Sequence, residues 1–327
     1  MTRVLTGALG AVLLLIVILI AAGGARALAS SRPPLRGELV DIGGRRLRIV
    51  CEGPRSDLPL VVTESGIFGF AADWGEVQKA LAAQGIRSCA YDRAGLGFSD
   101  RGPSPRDGLA IVTDLEKLLK AHGETGPLVL VGHSMAGLHT RLFALRNPDQ
   151  VKGLVLVDAM SPDVAMTGQG RQRLESFNTF ANQVRLMSSL GVLKAIAPKQ
   201  GDTIELRGAA HDEKVWFFGD NRFNQVGAEE THQAGAAAAQ ALAAGHLSPD
   251  LPVAVVTEGP KEVGRSDWGK GRNQAALQSK HGFVENVEGA SHASLLGYNH
   301  AGSIVHAVRK VMDAAGYGAL LKPEAGK

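Results

Sequence analysis

The sequence predicts an α/β protein with a mainly parallel sheet flanked by helices, a helical cap inserted late in the sheet, and a transmembrane helix at the amino end. Three observations predict it. From Glu38 onward, short apolar runs bounded by turn residues alternate with longer amphipathic stretches, the pattern of βαβ units. That rhythm lapses for about 90 residues after Asp158, too long for an ordinary crossover. Residues Val4 to Ala25 carry no charge at all. The chain has 327 residues, 45% hydrophobic and 20% charged, enough to bury a sizeable core and unlike a disordered or fibrous composition.

The amino end comes first. Its apolar run centres on Leu13–Ile20 and is bounded by Arg3 and Arg26, and about 20 apolar residues span a bilayer as a helix. A cleavable signal has an apolar region of only about 7–15 residues before an A-x-A-like site. Ala27-Leu28-Ala29 fits such a site, but the run is long for it. Residues 1–29 therefore read as an uncleaved membrane anchor, with a secreted product as the alternative if the segment is removed. Arg26, Arg32 and Arg36 follow the span while Arg3 precedes it, which by positive-inside bias would hold the large domain in the cytoplasm.

A Ser-, Arg- and Pro-rich linker, Ser30 to Arg36, leads into the body. Glu38–Ile42 and Leu47–Cys51, split by Gly43-Gly44, read as a hairpin. Further strands are expected at Leu60–Thr63, Ser88–Tyr91, Leu128–Val131, Leu154–Val157, Val253–Thr257 and Phe283–Val287. Helices are expected at Trp74–Gln84, Ile111–His122, His139–Asn147 and His300–Ala315. Residues 30–160 and 250–327 then form two parts of one core, and residues 161–249 form the cap. The cap contains helix-like Gln172–Leu190 and Ala-rich Thr231–Ala244. Its apolar Phe177, Phe180, Leu186, Met187, Leu190, Trp216, Phe217 and Phe223 are expected mostly in the cap's own core, a minority lining a pocket.

Composition also excludes function classes. The 35 basic against 32 acidic residues leave +3 and no basic cluster for nucleic acid. Two cysteines exclude a Cys-rich zinc module, no HExxH or H-x-x-x-H pair appears, and no GxGxxG follows a strand. Neither metal nor cofactor is expected.

The chemistry is carried by Gly132-His133-Ser134-Met135-Ala136-Gly137 after the strand Leu128–Val131. A serine between strand and helix, among small residues, projects its hydroxyl from a sharp turn. The G-x-S-x-G pattern is met except for Ala136, small enough to preserve the turn. A serine needs a base, and a neutral histidine suits that task. His292, in a loop after the last strand, is the candidate. His133 reads as motif filler, and His139, His300 and His306 as structural residues on helices.

These motifs resemble the α/β-hydrolase fold superfamily, in its lid-bearing serine esterase and lipase-like branch, over roughly residues 37–327. Asp92-Arg93-Ala94-Gly95-Leu96-Gly97-Phe98-Ser99 is similar to the D-x-x-G-x-G-x-S stretch after the family's fourth strand. Thr63-Glu64-Ser65-Gly66-Ile67-Phe68-Gly69 occupies the place of its His-Gly oxyanion loop, with Glu64-Ser65 replacing the histidine-containing start. The resemblance implies a serine hydrolase with a Ser134–His292–acid triad and an oxyanion hole from the Met135 and Ile67 amides, Gly66 lying close behind. The acid stays open: Asp158 at the end of the Leu154–Val157 strand is favoured, then Glu262 and Glu258 beside the next strand. Dehalogenases and epoxide hydrolases of this fold use an aspartate nucleophile, and Ser134 argues against both. The resemblance also makes Cys51 and Cys89 neighbours on adjacent strands, either bridged or free; a bridge would place the catalytic domain outside the cytoplasm, and with the signal-like terminus this favours an anchored enzyme whose catalytic domain faces outward.

The expected substrate is a small ester or other acyl compound with a medium-sized apolar part. Peptidase or thioesterase chemistry is the runner-up, Glu229 and Glu230 being candidate holders of a substrate amino terminus if they are not solvated surface. A silent membrane-anchored binding protein is the reading from another class. Oligomeric state is not legible.

Overall fold

The computed structural model of the protein describes residues 2–259 and 267–323. A hairpin opens the body: β1 (Glu38–Asp41) and β2 (Arg46–Glu52) pair antiparallel. Gly43 and Gly44 turn the chain with φ of 100° and 87°, a region open to glycine, and both amides donate to the Asp41 carboxylate. Then come β3 (Leu60–Glu64), α2 (Gly75–Ala83), β4 (Ser88–Tyr91), α3 (Gly108–His122), β5 (Leu128–His133), α4 (Ala136–Arg146) and β6 (Val151–Val157). Helix α1 (Thr2–Ala29) precedes them all.

Among the described residues the sheet has eight strands in the order β1-β2-β4-β3-β5-β6-β7-β8, where β7 is Val253–Glu258 and β8 is Phe283–Val287. Only the β1–β2 and β2–β4 pairs are antiparallel. The inner strands are covered on both faces, which is why they read as continuous apolar runs. Residue alternation sorts them: Val61, Val129, Val131, Val155 and Val157 pack with α2 and with α12 (Ala301–Met312). Leu60, Val62, Leu128, Leu130, Leu154 and Leu156 pack with α3 and α4.

Between β6 and β7 lie α5 (Pro162–Ala165), α6 (Gly168–Ser189), α7 (Val192–Gln200), α8 (Ala209–Phe218), α9 (Asn221–His232) and α10 (Ala234–Ala243). The expected Thr231–Ala244 helix is thus two helices meeting at Gln233. Helix propensity favours continuation, but α9 packs on α6 whereas α10 packs on α3 and α4, so tertiary contacts impose the break. A helix absent from the sequence reading, α11 (Asp267–Gln278), follows β7. Its two glycines obscure the periodicity, yet a Cβ at Gly271 would stand 2.0 Å from a Val164 methyl.

Four apolar residues depart from expectation. Phe217 and Phe223 are buried, but Phe180, Leu186, Met187 and Leu190 are exposed, so they do not form an internal core. The linker is not free either: the Arg32 guanidinium lies 4.3 Å from the Phe98 ring centroid and donates to the Gly97 carbonyl, and Arg36 pairs with Glu213 at 2.6 Å. Helix α1 is long and apolar enough, from Gly10 to Ala29, to cross a membrane. Cys51 and Cys89 are bridged, facing each other across β2 and β4 with Cα atoms 4.1 Å apart.

Candidate active site

Strand β5 delivers Ser134 into a turn with φ 59°, a conformation that costs energy for any residue with a side chain and recurs where function demands it. Small neighbours make the turn feasible. A Cβ at Gly132 would meet the Thr140 side chain at 2.8 Å, and one at Gly137 would meet the Met160 carbonyl at 2.5 Å. Ala136 is accommodated and fully buried, so the glycine that matters here is Gly137.

Asp158, one residue beyond β6, has φ 41°, and its amide donates to the Val256 carbonyl at 2.7 Å. Its Oδ2 receives Nδ1 of His292 at 2.5 Å, while Oδ1 pairs with the Arg272 guanidinium of α11. Glu258 contacts His292 only through longer-range charge, and Glu262 lies outside the described residues.

His292 is half-exposed, in the loop after β8. Its ring packs on the His133 ring with centroids 4.5 Å apart, and the His133 Nε2–H donates to the His292 carbonyl at 2.9 Å. His133 thus positions the loop, and burial holds its own pKa well below the ordinary histidine value. Partial burial also lowers the pKa of His292; Glu258 opposes this and the Arg272 cation reinforces it. The shift favours the neutral imidazole, the form that can accept a proton. Among the described residues Ser134 Oγ makes no hydrogen bond to His292; such contacts are often open in unliganded sites.

The segment 64–69 passes the serine at Gly66. A Cβ on Gly66 would fall 2.7 Å from Ser134 Cβ and 3.3 Å from Oγ. The amides of Met135 and Ile67 donate to no protein acceptor among the described residues, and Phe68, next along the loop, has φ 51°. Arg93 holds the loop from behind: Nη1 donates to the Ser65 carbonyl at 2.6 Å and Nη2 to that of Gly66 at 2.9 Å. The same guanidinium pairs with Glu64 at 2.6 Å and with Glu230 of α9 at 2.9 Å. Burial works against its charge, and the two carboxylates outweigh that effect and raise its pKa.

Phe68 also lines a cavity of about 510 Å³ between the loop and helices α6 to α9, with Phe70, Phe180, Met187, Leu193 and Phe223 among its walls. Lys214 is its charged member and pairs with Asp73 at 2.8 Å.

A family model for the alpha/beta hydrolase fold matches residues 59–194. The chain has the alpha/beta hydrolase fold. A thermophilic esterase from Thermogutta terrifontis superposes with a TM-score of 0.61 at 20% identity, over 85% of this chain and 100% of that one. In sequence, the chain is 38% identical over 102 residues to the mouse sn-1-specific diacylglycerol lipase ABHD11, covering 31% of this chain and 33% of the lipase. It is 36% identical over 126 residues to the probable transporter efuK of Hormonema carpetanum, covering 37% of this chain and 18% of that protein. The chain spans less than half the length of the curated relatives it matches.

Within this hydrolase fold the Asp92–Ser99 stretch is structural. The Asp92 carboxylate accepts the Ala71 and Phe98 amides at 2.9 and 2.8 Å and pairs with Arg48 at 3.2 Å. Two groups at the site escaped the sequence reading. Arg272 sits in the helix whose periodicity was hidden by glycine, and the Arg93–Glu230 pair joins residues 137 positions apart. Glu230 is buried rather than solvated, and Glu229 takes Ser104 and Arg101. Glu229 is thus already partnered, whereas Glu230 gives only Oε2 to Arg93 and its buried Oε1 has no hydrogen-bond partner among the described residues. Among the described residues no cluster of three or more His, Cys, Asp or Glu could hold a metal.

Proposed function

We propose that this hydrolase-fold chain is a membrane-tethered serine hydrolase that cleaves carboxylic esters through an acyl-enzyme. The observation that carries the reading is the Asp158–His292 hydrogen bond at the same carboxyl-terminal end of the strands as a serine held in a left-handed turn against Gly66. His292 Nε2 takes the Ser134 proton as Oγ bonds to the ester carbonyl carbon. The Met135 and Ile67 amides hold the oxyanion, and Asp158 stabilises the imidazolium. His292 then returns the proton to the leaving alkoxide as the C–O bond breaks. Water repeats the cycle, releasing the acid and restoring Ser134.

Helices α5 to α10 act as the cap that sizes the substrate. An ester with an apolar acyl part is favoured over a peptide because the cavity wall is mainly apolar and its lysine is already paired. The mouse lipase and the Thermogutta terrifontis esterase are named for ester-cleaving activities, which agrees with this reading. The α1 span tethers the enzyme, and the Cys51–Cys89 bridge favours a catalytic body outside the reducing cytoplasm. The test is hydrolysis of short and medium p-nitrophenyl esters by the full chain and by Ser134→Ala. Loss of activity in the variant supports the assignment, whereas equal rates would remove Ser134 from the mechanism.

A further inference from the structure

Helix α1 does not leave the body as an isolated stalk. Gly23 is buried against the α6–α7 corner, where a Cβ would lie 2.1 Å from the Gly191 carbonyl. Gly23 is three residues before Arg26, which ends the uncharged run, so at the helical rise the contact lies roughly 4–5 Å inside the apolar segment. The docked linker, with Arg32 on Phe98 and Arg36 on Glu213, holds this arrangement. If α1 spans a bilayer, the corner enters the edge of the hydrocarbon with it.

The corner carries the side chains such a position requires. Leu186 is 61% exposed, Phe180 48%, Leu190 42% and Met187 36%, an apolar patch of the kind that marks an interaction surface. Arg185 is exposed beside it and Lys194 lies near Arg26, cations suited to the headgroup level. Phe180 and Met187 belong to both the patch and the 510 Å³ cavity that reaches Phe68 of the oxyanion loop. Apolar membrane-level surface is therefore continuous with the cavity that ends at Phe68, two residues along the loop from the Gly66 that touches Ser134.

We infer that the α6–α7 corner is a second membrane contact, and that the cavity behind it takes the acyl chain of a lipid ester drawn from the bilayer holding α1. The substrate half of this inference rests on the ester-hydrolase reading above; the membrane contact does not. Because Cys51 and Cys89 are bridged, a cysteine introduced into the full chain can be labelled selectively. Leu186→Cys and, as a control at the opposite end of the sheet, Asp149→Cys would carry an NBD fluorophore in phosphatidylcholine nanodiscs. Blue-shifted emission quenched by doxyl lipids at 186 and not at 149 is expected; water-like emission at both would overturn the contact. In parallel, Leu186→Asp combined with Leu190→Asp should slow hydrolysis of a long-chain p-nitrophenyl ester in phosphatidylcholine vesicles about tenfold, leaving p-nitrophenyl acetate in solution unaffected. Equal effects on both esters, or none on the vesicle ester, would overturn bilayer delivery. If the unmodified chain hydrolyses neither ester, the ester-hydrolase reading and the acyl-chain assignment fail together, while the fluorescence still decides the membrane contact.

Discussion

Arg272 pairs with one oxygen of Asp158 while His292 occupies the other. The carboxylate is thus anchored on the side away from the imidazole, and a guanidinium stands close enough to His292 to disfavour its protonation. Under the proposed mechanism only neutral His292 accepts the Ser134 proton. Activity therefore rises with pH through a midpoint below the ordinary histidine value of about 6.5. Arg272→Met removes a cation that lowers that pKa, so the acid limb of kcat/KM should move to higher pH. An unmoved limb would show that Arg272 acts by anchoring alone. Asp158→Asn should lower kcat by about 10⁴-fold, the scale of losing the orienting acid of a triad.

Gly66 is required by contact rather than by its φ. Alanine there would place a Cβ 2.7 Å from that of Ser134, separating the loop from the proposed nucleophile. Gly66→Ala should lower kcat by about 10²–10³-fold, the cost of misplacing an oxyanion donor, with a melting temperature close to that of the parent. Unchanged turnover would show that the loop yields without loss of function.

Arg93 combines structural and positioning roles. Removing its charge as Arg93→Met leaves Glu64 and Glu230 buried without their cation, expected to cost about 3–5 kcal/mol in denaturant unfolding. Arg93→Lys keeps the charge but loses the planar fork that donates to both the Ser65 and Gly66 carbonyls. It should fold and lose kcat more than it raises KM, because under the proposed mechanism the loop it releases serves the transition state. A pure KM effect would argue against loop positioning.

The disulfide closes a loop of sequence separation 38, for which chain entropy gives about 4 kcal/mol of stabilisation. Cys51→Ser with Cys89→Ser should lose roughly 2–4 kcal/mol in urea unfolding, with the proposed esterase turnover of the remaining folded protein unchanged. A midpoint that does not move would mean that the unbridged unfolded chain is already restricted.

Much of this architecture was legible because local chemistry dictated it. Strands such as Ser88–Tyr91 and Phe283–Val287 appear with the expected bounds: the first is an inner strand buried along its length, and the second, at the sheet's edge, is marked by its Phe and Val residues between turn-forming neighbours. The turn at Ser134 was legible because only small residues tolerate its close contacts, and the pattern displays them. The helix holding Arg272 was hidden because its glycines answer to Val164, a residue distant in sequence. Glu230 looked like surface because its partner Arg93 lies 137 positions away.

By itself, then, the sequence determined the α/β alternation, the apolar amino-terminal run, the Ser134 turn and the candidate partners of that serine, all of which follow from short-range sterics and hydrophobic periodicity. Tertiary structure alone decided the rest. It placed Asp158 on His292, put Arg93 behind the loop at Ser65 and Gly66, paired Cys51 with Cys89, and seated Gly23 on Gly191. Each is a contact between distant segments, governed by strand order and packing, for which no local pattern of residues can substitute.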